Sequence, residues 1–300
     1  MRIRTLSTLM AIAVLTGATG LLKAQTTKPA KETTTRPSVD EIVEKTNYVS
    51  YYQGKTGKAD VNMTIVDARK NKRSREFTII RWDEPHPKAK KLSDKEIEKL
   101  PEKEQKEIEQ HTGEQKFYVF FHRPADVDNW AFLVWKHMGK DDDRWLYMPQ
   151  LDNLKRISAA DKRTSFVGSH FLYEDVSGRN IDLDKHELVD ETKDYYILKN
   201  TPKNKKYVDF AYYKMWIHKD SFVVVQTSYY DDQGKEYRRY NALGVKNIQG
   251  HPTVVKSRMT DLRDKSYTVM QYSDVKYDVP LKEEIFSERY LRRPPMQYLK

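Results

Sequence analysis

The 300-residue chain has no cysteine, and its 54 basic and 44 acidic residues give a formal charge of +10. The missing thiols exclude disulfides, thiol catalysis, cysteine-based zinc sites and a lipid anchor on cysteine, so core burial must hold the fold. The basic residues are scattered among acidic ones rather than gathered in a block; with the export signal of the first residues weighing against nucleic acid, the charge suits anionic lipid or an acidic partner, or solubility alone.

Arg2 and Arg4 precede a mostly apolar run from Leu6 to Leu22, and Leu22-Lys23-Ala24 closes it on a small residue before Gln25. Basic start, apolar middle and small-residue end are the layout of a secretory signal peptide. Thr16, Gly17, Thr19 and Gly20 interrupt the run, which counts against a membrane anchor. Export with cleavage near Ala24 is therefore expected. Residues 25–37 (QTTKPAKETTTRP) lack a large apolar side chain and predict a disordered tether. A single domain is expected over residues 38–300.

That domain begins with a helix. Ser38 followed three residues later by Glu41 is a capping box, and Val39, Ile42 and Val43 form one apolar face. From Ala59 the period changes to two: ADVNMTIVDAR alternates apolar and polar residues, and Lys70-Asn71 separates it from its hairpin partner KRSREFTIIRW. Strand patterns then recur at 116–121, 130–137, 144–149, 185–191, 194–200, 210–219, 221–231, 236–248, 252–262 and 266–277. A dozen strands joined by short turns predict an antiparallel meander rolled into a barrel or part-barrel. Charges fall at odd and even positions of these strands alike, which disfavours a barrel facing lipid. One segment breaks the pattern. Residues 88–116 hold eight lysines against eight acidic residues, with a capping box at Ser93–Glu96, and predict two short solvated helices inserted between strands.

The sequence carries few signs of catalytic chemistry. None of the eight histidines stands in a metal-ligand spacing. Gly168-Ser169-His170 lacks the second glycine of a nucleophile elbow, and neighbouring side chains diverge, so no serine–histidine dyad is expected. The aromatic runs are more informative. WAFLVW carries Phe132 and Val134 on one face and Leu133 and Trp135 on the other, and RWLYMP repeats this with Leu146 and Met148 against Trp145 and Tyr147. Two apolar surfaces suit a sheet curved around a cavity and closed by helices, or a filled sheet with a helix on one side.

Three runs, PADVDNWAFLVW, DRWLYMPQLDNLKRIS and SFVGSHFLYEDVSGR, resemble the exported outer membrane lipoprotein-sorting family, the LolA-like proteins. The matching residues include Pro124 to Val127, Asp143, Trp145, Tyr147, Pro149, Arg156, Ser165, Phe166, Gly168, Phe171, Tyr173, Glu174 and Asp175. The charged insertion at 88–116 is not part of that family's pattern. The resemblance implies a mainly β, antiparallel half-barrel of about eleven strands, capped by helices around an apolar cavity. It implies a monomeric, non-enzymatic periplasmic carrier of lipid or lipoprotein acyl chains, with an inner- or outer-membrane protein as partner and no cofactor, metal or nucleic acid. Phe132, Val134, Leu146, Met148, Phe166, Phe171 and Tyr173 are the candidate cavity residues, and Arg144, Lys155 and Arg156 the candidate contacts to headgroups. The same fold also suits a sensor or adaptor for a membrane export permease; an envelope hydrolase is a third reading, for which no triad or metal spacing is visible.

Overall fold

Apolar side chains spaced two apart form strands wherever one face can be buried, and the computed structural model, which describes residues 36–300, follows that spacing closely. The expected signal peptide over 1–24 and nearly all of the tether over 25–37 lie outside the described residues. The described chain opens with helix α1 (Val39–Asn47) and a π-helical turn over Tyr48–Tyr52. The capping box is formed: Glu41 N–H donates to the Ser38 hydroxyl at 3.2 Å, and Ser38 N–H donates to the Glu41 carboxylate at 2.7 Å. Ser38→Ala removes the first of these bonds and is expected to lower stability by about 1 kcal/mol; an unchanged chemical-denaturation midpoint would show that the cap contributes nothing.

Thirteen strands follow, with three short helical pieces after the second. The strands are β1 (Thr56–Val66), β2 (Lys72–Asp83), β3 (Gln115–Arg123), β4 (Ala131–Lys136), β5 (Asp143–Met148), β6 (Asn153–Arg156) and β7 (Asp184–Glu191). They continue as β8 (Tyr195–Pro202), β9 (Tyr212–His218), β10 (Val224–Tyr230), β11 (Glu236–Ile248), β12 (His251–Asp261) and β13 (Tyr267–Tyr277). All join one antiparallel sheet in the order β6-β5-β4-β3-β2-β1-β13-β12-β11-β10-β9-β8-β7. The sheet is open, because β6 and β7 are its edges and do not pair. This is the expected half-barrel, with thirteen strands where about eleven were implied.

The charged insertion is helical, with a 3₁₀ turn at Ala89–Lys91 and helices α2 (Asp94–Ile97) and α3 (Glu102–Glu109) between β2 and β3. Its end needs correction: Gln115 and Lys116 belong to β3. The insertion also rests on the π turn. Ile108 is buried, His111 stacks on Tyr52 with ring centres 4.0 Å apart, and the Tyr52 hydroxyl donates to the Gly113 carbonyl at 3.0 Å.

Alternation sends the aromatic strands' side chains to two separate cores. Phe117, Val119 and Phe121 of β3 join Phe132, Val134 and Leu146 on the inner face of the sheet. Tyr118, Phe120, Leu133 and Trp145 lie on the outer face under the C-terminal segment, which supplies Ile285, Phe286, Leu291 and Leu299. That segment is fixed by polar tips: the Tyr118 hydroxyl donates to Tyr290 O and the Trp135 indole N–H to Phe286 O, each at 2.7 Å. At the other end of the sheet, Ile42 and Val43 of α1 pack on Tyr196, Leu198 and Ile217.

Candidate functional site

Two covers therefore lie on the inner face. One is α1, over β8 and β9. The other is the segment from Ile157 to Tyr173, whose Ile157, Phe166, Val167, Phe171 and Tyr173 fill the space over β3 to β5. Between them the middle of the sheet is left open, and a cavity of about 430 Å³ occupies it. Ala59, Phe77, Ile79, Phe117, Val119, Met259, Met270 and Tyr272 line it from the sheet. Register places these side chains together: Met63 of β1 stands opposite Met270, Val61 opposite both Phe77 and Tyr272, and Tyr240 opposite Met259. Val43, Met215, Val223 and Val224 close one flank, and Phe166, Phe171 and Val176 the other.

The cavity has an open end and a sealed end. Ser50 and Lys276, which line it near the π turn, are exposed, whereas Tyr213, Thr227 and Glu174 are buried. At the open end the Arg81 guanidinium donates to the carbonyls of Tyr51, Gln53 (2.5 Å) and Gly54 (2.6 Å) and so holds the rim in shape.

The second cover owes its shape to a tight turn. Phe166 N–H donates to Phe171 O at 2.8 Å and Ser169 N–H to Phe166 O at 3.0 Å. Val167 and Gly168 both sit in the left-handed region, at φ +48° and +75°. Glycine takes that conformation freely and valine does not, so packing of the buried Val167 side chain must hold it. After helix α4 (Tyr173–Ser177), Gly178 lets the backbone pass the Tyr51 ring, where an added Cβ would sit 2.4 Å from a ring carbon. The buried Lys136 donates to Ser177 O at 3.0 Å and lies 5.0 Å above the Tyr51 ring. Burial pushes its ammonium down to a pKa of about 8.

The sealed end is an ion network around the buried Glu174, reaching solvent at the exposed Asp209, and sequence reasoning did not anticipate it. The Glu174 carboxylate accepts from Arg163 at 2.9 Å and Arg179 at 3.3 Å, with the Lys162 ammonium 3.7 Å away. Arg163 also donates to Asp209 at 2.5 Å, Arg179 to Asp184 at 2.9 Å, and Arg238 pairs with Asp175. Burial alone would raise the Glu174 pKa, but Arg163, Arg179 and Lys162 outweigh it and hold the group below its ordinary range. Tyr229 lies against the Arg163 and Arg238 guanidiniums, and burial first, then Asp175, pushes its phenol up to about 12. Glu174 and Asp175 stand in the Tyr-Glu-Asp part of the resemblance; that was the available signal, and their arginine partners are scattered along the chain.

Of the ten residues singled out from sequence, two line the cavity: Phe166 and Phe171. Phe132, Val134, Leu146 and Tyr173 are buried in the core behind them, and Met148 packs against the same cluster half-buried. The Phe132 ring lies 5.5 Å from Phe166 and 5.2 Å from Tyr173. Phe132, Val134, Leu146 and Met148 share the inner face of the sheet, but the Ile157–Tyr173 cover occupies the space they face, so they buttress the wall. Arg144 is 2% exposed and paired with Asp142, so it is not a surface cation. Lys155 and Arg156 are exposed on edge strand β6, where Arg156 pairs with Asp143 above the Trp145 ring, and neither lines the cavity. His170 turns away from Ser169 toward the hydroxyls of Thr268 (2.7 Å) and Ser266 (2.6 Å), while Ser169 Oγ bonds the Phe171 backbone.

Known proteins share this architecture. A DUF1329 family protein from Desulfovibrio piger matches with a TM-score of 0.70 at 23% identity, covering 85% of this chain and 100% of that one. A domain from Vibrio parahaemolyticus named for outer membrane lipoprotein sorting matches at 0.69 and 22% identity, over 84% and 97%. A LolA superfamily protein from Nitrosomonas europaea matches at 0.60 and 17% identity, over 85% and 100%. No curated protein matches the chain. A family model with the description "Uncharacterized protein" matches residues 113–293, more than half of the sequence. The chain belongs to that family, and it shares the open antiparallel half-barrel fold of these three structures.

Proposed function

We propose that this protein is a non-enzymatic carrier that shelters the acyl chain of a lipid or lipoprotein in the cavity under its sheet, and that it works in the periplasm after export. The observation that carries this reading is the uncovered middle of the inner face, where Phe77, Phe117, Met259 and Met270 bound about 430 Å³ while both flanks are filled. That volume lies within the roughly 300–1,000 Å³ of small-molecule sites. Unbranched methionine side chains let such a wall adapt to chains of different shape. Each methylene taken from water contributes about 0.8 kcal/mol, so a long chain offers a driving force that needs no covalent step. The likeness in fold to a domain named for outer membrane lipoprotein sorting supports the same reading. A carrier must also receive and surrender its cargo, which makes membrane proteins on either side its proposed partners.

Val254 is half-buried on the cavity wall. Val254→Trp should place an indole in the lumen and weaken binding of a fluorescent long-chain fatty acid at least about tenfold, equivalent to 1.4 kcal/mol, while thermal unfolding moves little. Binding unchanged in a folded Val254→Trp variant would mean that the chain sits elsewhere.

A further inference from the structure

The sealed end of the cavity has hydrogen-bonding capacity that the protein does not use. Arg163 lines the cavity with its side chain 7% exposed, and its Nη2 has no partner, although Nε and Nη1 are engaged by Asp209 and Glu174. The neighbouring Arg238, also buried, leaves Nη1 without a partner. Both guanidiniums lie within 5.8 Å of the Tyr229 ring centre, and the side chains of Tyr229 and Tyr51 line the same space. Buried donors are nearly always satisfied, and each exception calls for a missing partner. A ligand acceptor group fits that description.

The charge balance decides which acceptor. The cations of this end are Lys162, Arg163, Arg179 and Arg238; the carboxylates bonded to them are the buried Glu174 and Asp184, the half-buried Asp175 and, toward solvent, the exposed Asp141 and Asp209. Each of these cations already has a carboxylate in contact, and an anion brought to Arg163 would also face the Glu174 carboxylate bonded to it, so the desolvation of a buried anion would go unreturned. An uncharged carbonyl requires only the N–H. We infer that the sealed end is a receptor for a neutral acceptor, the carbonyl of a fatty-acyl ester or amide, which bonds the free Arg163 nitrogen beside the Tyr229 and Tyr51 phenols. The cavity then selects acylated molecules with uncharged heads over free fatty acids. This rests on the carrier reading and specifies its ligand class. Burial keeps both phenols above their ordinary range and so protonated, available as further donors.

The test compares 1-monopalmitoylglycerol with palmitate, two ligands of equal chain length, by calorimetry at pH 8 on the purified protein. The ester should bind about tenfold tighter, and Arg163→Lys, which keeps the charge and loses the fork, should erase that preference. Equal or tighter binding of palmitate, or a preference that survives in folded Arg163→Lys, would overturn the assignment and leave the carrier intact. Binding of neither ligand would remove the carrier reading itself. A second readout uses only the wild-type protein: the ¹³C-labelled ester carbonyl should stretch at lower wavenumber when bound than in hexane, and an unshifted band counts against the hydrogen bond.

Discussion

Glu174→Gln should destabilise the protein by about 3 kcal/mol at neutral pH, read as a lowered midpoint and an unchanged slope in urea unfolding. The carboxylate is 3% exposed and meets Lys162, Arg163 and Arg179 together. Removing one partner of a buried ion pair costs about 3–5 kcal/mol because the other charge is left uncompensated. Here each cation keeps a second carboxylate, in Asp141, Asp209 and Asp184, which sets the expectation at the low end. The pH dependence has a definite sign. Glu174 is held below its ordinary value of 4.5, so its ionised form contributes stability that is complete above 4.5 and fades as pH falls through the lower folded value. The gap between wild type and variant should therefore narrow in acid. A gap that is the same at pH 7 and pH 3 would mean that shape rather than charge gives Glu174 its role.

Phe166→Ala should cost about 3–5 kcal/mol, the range for truncating a buried aromatic. The side chain is 1% exposed, and its ring lies 6.2 Å from Phe77, 5.9 Å from Phe121, 5.5 Å from Phe132 and 5.6 Å from Tyr173. It also separates the cavity from the filled half of the inner face, because it belongs to both linings. Truncation should therefore enlarge the cavity while it weakens the fold. Phe166→Leu, which keeps much of the volume, is expected to lose substantially less. A Phe166→Ala variant as stable as wild type would show that the Ile157–Tyr173 segment does not fix the wall.

Twelve of the thirteen strands were legible as alternation, and the exception is instructive. Asn153-Leu154-Lys155-Arg156 is four residues long and only Leu154 is packed against a core, so β6 offers a single apolar position and no alternation for periodicity to reveal. Its pairing to β5 is a backbone matter. The site was less legible for a related reason. A period of two tells which residues share a face but not what covers it, and Phe132 and Leu146 face the Ile157–Tyr173 cover rather than a lumen. The open part of the sheet takes Met259, Met270, Tyr240 and Tyr272 from strands more than eighty residues downstream, and only the closing of β1 on β13 brings them beside Phe77. The ion network is equally non-local: Arg163, Glu174, Asp209 and Arg238 meet through the fold, with no spacing to mark them.

An acyl chain in the cavity is the basis of the proposed carrier function. Native mass spectrometry of the full chain, produced with export in a Gram-negative host and purified without detergent, tests it most directly. A population carrying one non-covalent acyl lipid per chain is expected, and it should be lost in Val254→Trp. A protein that emerges free of lipid, and stays so after incubation with phospholipid and monoacylglycerol vesicles, would contradict it.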